Sequence, residues 1–162
     1  VVATGRDEAR RAAVARLGQS CGSVEVVAPD AFVELGAYDV ILELVGAPNI
    51  PADLEALAVG GRIAVIGIGA GARAEVNLLA LMGARGRIHG SMLRPRPLEQ
   101  KADAAQLVER HVLPLVESGR VQVPVEATFP MTEATRAYDR FEAGAKLGKI
   151  VLVNPEDTVS SG

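Results

Sequence analysis

"GGRIAVIGIGAGARAEV", residues Gly60 to Val76, is the stretch whose reading decides the fold. A β-branched run breaks into alternating glycines and then heads toward a helix, the outline of a dinucleotide-binding turn. The fingerprint of such a turn is G-x-G-x-x-G between a strand and a helix, with an acid about 20 residues on for a ribose hydroxyl. Here the spacing is Gly67-x-Gly69-x-Gly71, so the third glycine comes one residue early. The acid is missing too: the next strand carries Arg87 and His89 and runs out into Ser91 and Arg94. Three strand units precede the stretch and about one more follows before the pattern changes, so a nucleotide fold starting here would be too short. The conspicuous glycines therefore read as a later turn of a fold that began upstream.

The elements on either side agree. Val1 to Ala3 reads as a short strand running into Thr4-Gly5-Arg6. "DEARRAAVARLG" follows as a helix, with Asp7 and Glu8 in its first turn and Gly18 as its stop. Val24 to Pro29 is a second strand and Tyr38 to Gly46 a third, apolar through most of its length. Such a strand predicts a parallel sheet covered on both faces. "PADLEALAV" predicts a short helix that begins at Pro51 and ends before Gly60-Gly61. "RIAVIG" and "GRIHGSML" are the fourth and fifth strands. Leu98 to Ser118 is the longest helix, in which Pro114 predicts a kink or an early break. After residue 119 the order changes. Gly119 to Pro130 alternates like a half-buried strand, Met131 to Gly144 is a helix with Thr132 as N-cap, and "GKIVLV" is a closing strand. Strands alternating with helices define an α/β fold with a mainly parallel sheet.

Bulk properties narrow the function. Hydrophobic residues make up 49% of the 162 and charged residues 23%, enough for one domain with a core. A net charge of −3 gives no reason to expect a nucleic-acid partner, and the basic cluster Arg94 to Pro97 has no aromatic company for stacking bases. No apolar run reaches the roughly 20 residues of a membrane span. Cys21 is the only cysteine, which excludes an internal disulfide and fits a reducing, cytoplasmic setting. With His89 and His111 it has no spacing for a metal or a nucleophilic relay. The chain opens without Met, so the natural N-terminus is expected to lie upstream.

"VVATGR" ends as the second strand of a dinucleotide fold ends. NAD-binding versions place an acid there, whereas a small residue followed by Arg leaves room for a phosphate and supplies a fork to grip it. On this reading the Thr4 hydroxyl, Gly5 backbone and Arg6 guanidinium hold the 2′-phosphate of NADP. The alternative is that Arg6 is a solvated turn residue.

"YDVILELVGAPNIPADLEALAVGGRIAVIG", joined to "GRIHGSMLRPRP" and "GKIVLV", resembles the medium-chain dehydrogenase/reductase superfamily, and within it the zinc-independent quinone oxidoreductase branch. The resemblance implies an incomplete Rossmann-like, doubly wound parallel sheet with a C-terminal strand-helix-strand extension. It implies an NADP-binding portion over residues 1–119, a segment over 120–153 that in the family returns to the catalytic domain, and a disordered tail over 154–162. The GroES-like domain, first strand, phosphate loop and first helix of the family have no counterpart here. Without that strand two half-sheets would expose apolar edges. The gap is then closed by rearrangement, filled by another chain, or filled by a separate piece.

The same resemblance implies site residues. Val45 and Gly46 lie along the adenosine half of the cofactor, and Glu43, where the family usually has Asp, hydrogen-bonds nearby backbone. Gly67, Ile68 and Gly69 form the turn against the nicotinamide carboxamide, and Ser91, Leu93 and Arg94 a second nicotinamide-side contact. Lys149 matches a position that contacts the pyrophosphate. No catalytic acid or base and no zinc ligand set is expected. The strand near Arg87–Ser91 is expected to pair across a homodimer axis, and the substrate is expected to be a small quinone or enone. The implied activity is NADPH-dependent hydride transfer. The alternatives are an enoyl-reductase module of a polyketide-type synthase and a non-catalytic Rossmann-like assembly module.

Overall fold

β1 (Val2–Thr4) leads through Asp7 into α1 (Glu8–Gly18), because the Asp7 carboxylate accepts the Arg10 N–H at 2.9 Å and caps the helix. β2 (Glu25–Val27) then lies parallel to β1, with Val2 opposite Glu25 and Thr4 opposite Val27. The structure is a computed structural model and describes residues 1–18, 22–144 and 146–154. Cys21 and the tail from residue 155 onward lie outside the described residues. The chain divides into two compact units, one ending at Gln106 and the other beginning at Leu107.

The rest of the first unit is a second sheet. β3 (Tyr38–Glu43), β4 (Leu57–Val65) and β5 (Arg87–Gly90) run parallel in that spatial order. α2 (Ile50–Glu55) follows a 3-10 turn at Ala47–Asn49, and α3 (Leu78–Ala84) is capped by Asn77, whose side chain accepts the Ala80 N–H at 3.1 Å. Ile41, Ile63 and Ile88 stand side by side in register. Alternation puts all three on one face, and there they pack with Ile50, Leu54 and Leu57. Ile63 is fully buried. Each such side chain contributes about 1.5–3 kcal/mol by leaving water.

The other face of this sheet departs from expectation. Val40, Leu42 and Leu44 are 48%, 61% and 58% exposed. The apolar run in β3 does not mean a strand covered on both faces within this chain: α2 and α3 pack on one face only. Among the described residues β3 is also an edge, hydrogen-bonded to β4 alone, and β1 pairs only with β2. Among the described residues β1–β2 and β3–β4–β5 are thus separate sheets, and the chain's own strands do not join them.

Other boundaries shift for local reasons. α2 stops at Glu55 instead of continuing to Val59, because the Tyr38 N–H donates to the Ala56 carbonyl at 2.8 Å and pulls Leu57 into register opposite Tyr38. β4 then bulges through Gly60, at φ +82°, before Arg62 meets Val40. α3 occupies a segment read only as the approach to a helix; Asn77 before "LLALMGA" was its signal.

In the second unit the long helix does break near Pro114, into α4 (Leu98–His111) and α5 (Leu113–Glu117), with α4 spanning the boundary between the units. β6 is Val125–Pro130 and does not extend back to Gly119. Pro124 precedes it, and a proline offers no N–H to a ladder. Thr132 is not an N-cap: it sits inside a 3-10 turn, Met131–Glu133, and α6 (Ala134–Glu142) starts without a side-chain cap. β7 (Lys149–Val153) pairs parallel with β6. No helix among the described residues is long and apolar enough to cross a membrane.

Candidate functional site

Three strands of one sheet end level. Val65 lies opposite Glu43 on one side and Gly90 on the other, at the C-terminal ends of β3, β4 and β5. The chain therefore leaves the sheet at Val45-Gly46, at Gly67–Gly69 and at Ser91 along one edge. The crevice outside the carboxyl ends of parallel strands is where open α/β sheets bind ligands.

Glu43 builds the first of these turns. The residue is 3% exposed. One carboxylate oxygen accepts the N–H groups of Val45 and of Gly46, the latter at 2.6 Å, and the other accepts the Asn49 amide at 3.0 Å. Burial alone would raise its pKa, but these donors and the Asp53 carboxyl overcome burial and hold it below the ordinary value. Glu43 thus does what its sequence position suggested, gripping local backbone. Asp53, beside it on α2, is 2% exposed and was not singled out from the sequence.

The first two turns interlock. The Ile66 and Gly67 N–H groups donate to the Glu43 carbonyl at 2.9 and 3.1 Å, Ala70 N–H donates to Val45, and Ala47 N–H donates to Gly71. A Cβ on Gly67 would lie 2.1 Å from the Leu44 carbonyl oxygen, and one on Gly46 would lie 2.5 Å from that of Gly71. Both glycines let one turn approach the other. Gly69 differs: nothing lies within 4 Å of its Cβ position. Ile68 and Gly69 are exposed, and their N–H groups donate to no other group among the described residues. Behind the turns Gly46, Ile50, Val65, Ile68 and Ile88 line an apolar cavity of about 170 Å³.

At the third exit the Ser91 hydroxyl accepts from the Arg96 guanidinium at 2.6 Å, and the Leu93 carbonyl accepts the Arg96 N–H at 3.1 Å. Leu93 and Arg94 are exposed. Arg96 is the organiser of this segment, a role that the sequence reading missed.

Thr4, Gly5 and Arg6 leave the separate β1–β2 sheet. Gly5 N–H extends the ladder to Val27 at 2.9 Å. Arg11 reaches back from α1 and donates to the carbonyls of Gly5 and Arg6 at 2.9 and 3.1 Å, fixing the turn. The Arg6 side chain is exposed, and its guanidinium makes no hydrogen bond or ion pair among the described residues. Lys149 is exposed at the start of β7, in the second unit. His89 and His111 are both exposed.

Residues 24–152 match the family described as zinc-binding dehydrogenase. A nucleotide-type parallel α/β sheet with its glycine turns level at one edge is the class of domain that the fold and site define. The chain belongs to the zinc-binding dehydrogenase family. It is similar over 94% of its length to a thermostable alcohol dehydrogenase from Pyrobaculum aerophilum, at 25% identity and TM-score 0.70, covering 42% of that chain. It is similar over 96% to the protein AibC, at 26% identity and TM-score 0.75, again covering 42%. A mycobacterial quinone oxidoreductase shares the fold, at 24% identity and TM-score 0.71 over 94% of this chain and 48% of that one. The chain thus spans under half the length of these solved relatives. No curated protein matches it. The zinc of the family's description finds no donor set here: no three His, Cys, Asp or Glu side chains among the described residues cluster as a metal site requires.

Proposed function

We propose that this chain is the cofactor-binding part of an NADPH-dependent medium-chain oxidoreductase that reduces a quinone or an α,β-unsaturated carbonyl. The observation that carries the reading is the row of level strand ends, with the unengaged N–H groups of two exposed residues, Ile68 and Gly69, at its centre. Those donors suit a carboxamide oxygen and would fix which face of the nicotinamide meets the substrate. The bound nicotinamide supplies the hydride. The chain's own part is to orient the ring and exclude water, with the balancing proton drawn from solvent.

The preference for NADPH rests on Arg6, an unpaired guanidinium on a turn fixed by Arg11. Ser91, Leu93 and Arg94 are assigned to the nicotinamide side, and Val45 and Gly46 to the adenosine side. β5, an edge strand of its sheet, is the strand assigned to a homodimer contact.

Calorimetry with NADPH and NADH tests the reading. The wild-type chain is expected to bind NADPH in preference to NADH. Arg6→Ala is expected to lose about 1.5–3 kcal/mol of NADPH affinity, the range for hydrogen bonds to charged groups, and to leave NADH unchanged. Equal affinity of wild type for the two cofactors would overturn the assignment of Arg6.

A further inference from the structure

Asp53 is a buried acid with no cationic partner among the described residues. It is 2% exposed, and its Oδ2 receives no hydrogen bond. The polar group it meets is the Glu43 carboxylate, which accepts hydrogen bonds and donates none. Glu43 already carries the Val45, Gly46 and Asn49 donors, so it is the member of the pair held ionised. Two buried carboxylates in contact cannot both ionise without a counter-charge.

Among the described residues no counter-charge faces them. α3 carries no ionisable side chain. Arg62 of β4 is next to the buried Ile63 and projects from the opposite, exposed face of the sheet. Asp39 of β3, Glu34 of the 3-10 turn at Val33–Leu35, and Glu55 of α2 are exposed acids. Contact with Glu43 adds to burial, and together they push the Asp53 carboxyl up to about 7.

We infer that Asp53 is a positioning residue: as a neutral acid it donates its proton to Glu43, and the shared proton holds the Val45–Gly46 turn in its binding shape. Loss of that proton leaves two charges in one buried space, and their repulsion drives the carboxylates apart and pulls Glu43 off the Val45 and Gly46 N–H groups. The turn at the β3 end, and through its interlock the Gly67–Gly71 turn, loosens. The consequence for cofactor rests on the function proposed above; the shared proton does not.

Two measurements on the full chain keep these apart. The first follows the Gly46 amide by nuclear magnetic resonance from about pH 5.5 to about pH 8.5, since an amide bonded to a carboxylate reports its charge. Wild type is expected to titrate near neutrality and Asp53→Asn, which keeps a donor but cannot ionise, to stay flat. A flat wild-type response over that range overturns the inference, and this readout needs no variant to fold. The second is the NADPH dissociation constant. A ligand that binds only the protonated pair loses affinity about tenfold per pH unit above the midpoint. Wild type is expected to weaken about tenfold between pH 6 and 8 while Asp53→Asn does not. If the Gly46 amide titrates while affinity does not change, the coupling to the turn is overturned. If neither NADPH nor NADH binds at any pH, the cofactor reading falls, and the Gly46 titration still decides the shared proton.

Discussion

Substituting alanine for Gly67 and, separately, for Gly69 asks the two halves of one motif to behave in opposite ways. A Cβ at Gly67 would lie 2.1, 2.7 and 3.0 Å from the carbonyl oxygen, carbonyl carbon and Cα of Leu44. All three are backbone atoms, so no rotamer change relieves the contact, and the two turns must part by about 1 Å to reach ordinary van der Waals distance. The bonds at risk are those from Ile66 and Gly67 to the Glu43 carbonyl and from Ala70 to Val45. At about 1 kcal/mol net for each bond lost, plus the strain of moving packed backbone, the cost is roughly 2–4 kcal/mol. For a chain of this size that lowers the thermal midpoint by about 4–16 °C. At Gly69 nothing lies within 4 Å and φ is not left-handed, so alanine is unstrained. The loss of unfolded-state freedom stabilises that variant by about 0.4–1 kcal/mol. Circular dichroism melts of the two variants at one pH decide the matter. A Gly67→Ala midpoint equal to wild type, or a Gly69→Ala fall as large as that expected for Gly67→Ala, would refute the geometry of interlocked turns.

Leu54→Ala is expected to cost about 2–5 kcal/mol in urea unfolding, since Leu54 is 4% exposed in the core cluster. Ile41→Ser and Leu42→Ser separate the two faces of β3. The first places a hydroxyl against the core and is expected to cost at least about 2 kcal/mol, while the second, at a side chain 61% exposed, stays within about 0.5 kcal/mol. Stability should also depend on pH through Asp53. Its folded pKa of about 7 lies above the ordinary 3.8, so between those values the native state holds a proton that the unfolded chain has released. Stability therefore falls as pH rises from about 4 to about 7 and then levels, and Asp53→Asn removes that slope. Glu43 acts in the opposite sense: its depressed pKa gives stability above the ordinary carboxylate range that is lost as pH falls through the folded value.

The parallel strands were legible because each is a β-branched run bounded by glycine or a turn, and β1, β2, β3, β5 and β7 sit where that pattern puts them. The end of α2 was not. "LEALAV" has helical spacing, and only the hydrogen bond from Tyr38, 18 residues away from Ala56, draws Leu57–Val59 into a strand. The uncovered face of β3 was equally hidden, because an apolar run records what a strand is suited to bury and not which segment buries it. At the site, the strand exits were readable as glycines after strands. The residues that hold those exits were less so: Arg11, Asp53 and Arg96 are single polar residues whose partners lie on the neighbouring turn.

The Glu43 carboxylate also bears on which part of a dinucleotide the β3 exit can meet. Consecutive backbone N–H groups after a strand are the usual means of gripping a phosphate. Here the Val45 and Gly46 N–H groups point at the protein's own buried carboxylate. A phosphate brought to that turn would face an internal anion instead of free donors. On the function proposed above, the turn would meet an uncharged part of the cofactor, a ribose or an adenine edge. The pyrophosphate, with two charges to satisfy, then needs donors from elsewhere. The unengaged N–H groups of Ile68 and Gly69 are too few to cradle it, and two exposed neutral donors suit a carboxamide better. By this reasoning Glu43→Gln, which removes the internal anion while keeping one acceptor oxygen, weakens the turn but makes it more tolerant of inorganic phosphate. Thermal melts with added phosphate read this directly. Phosphate should raise the midpoint of the Glu43→Gln variant more than that of wild type, and an equal shift in both would mean that the carboxylate does not guard the turn.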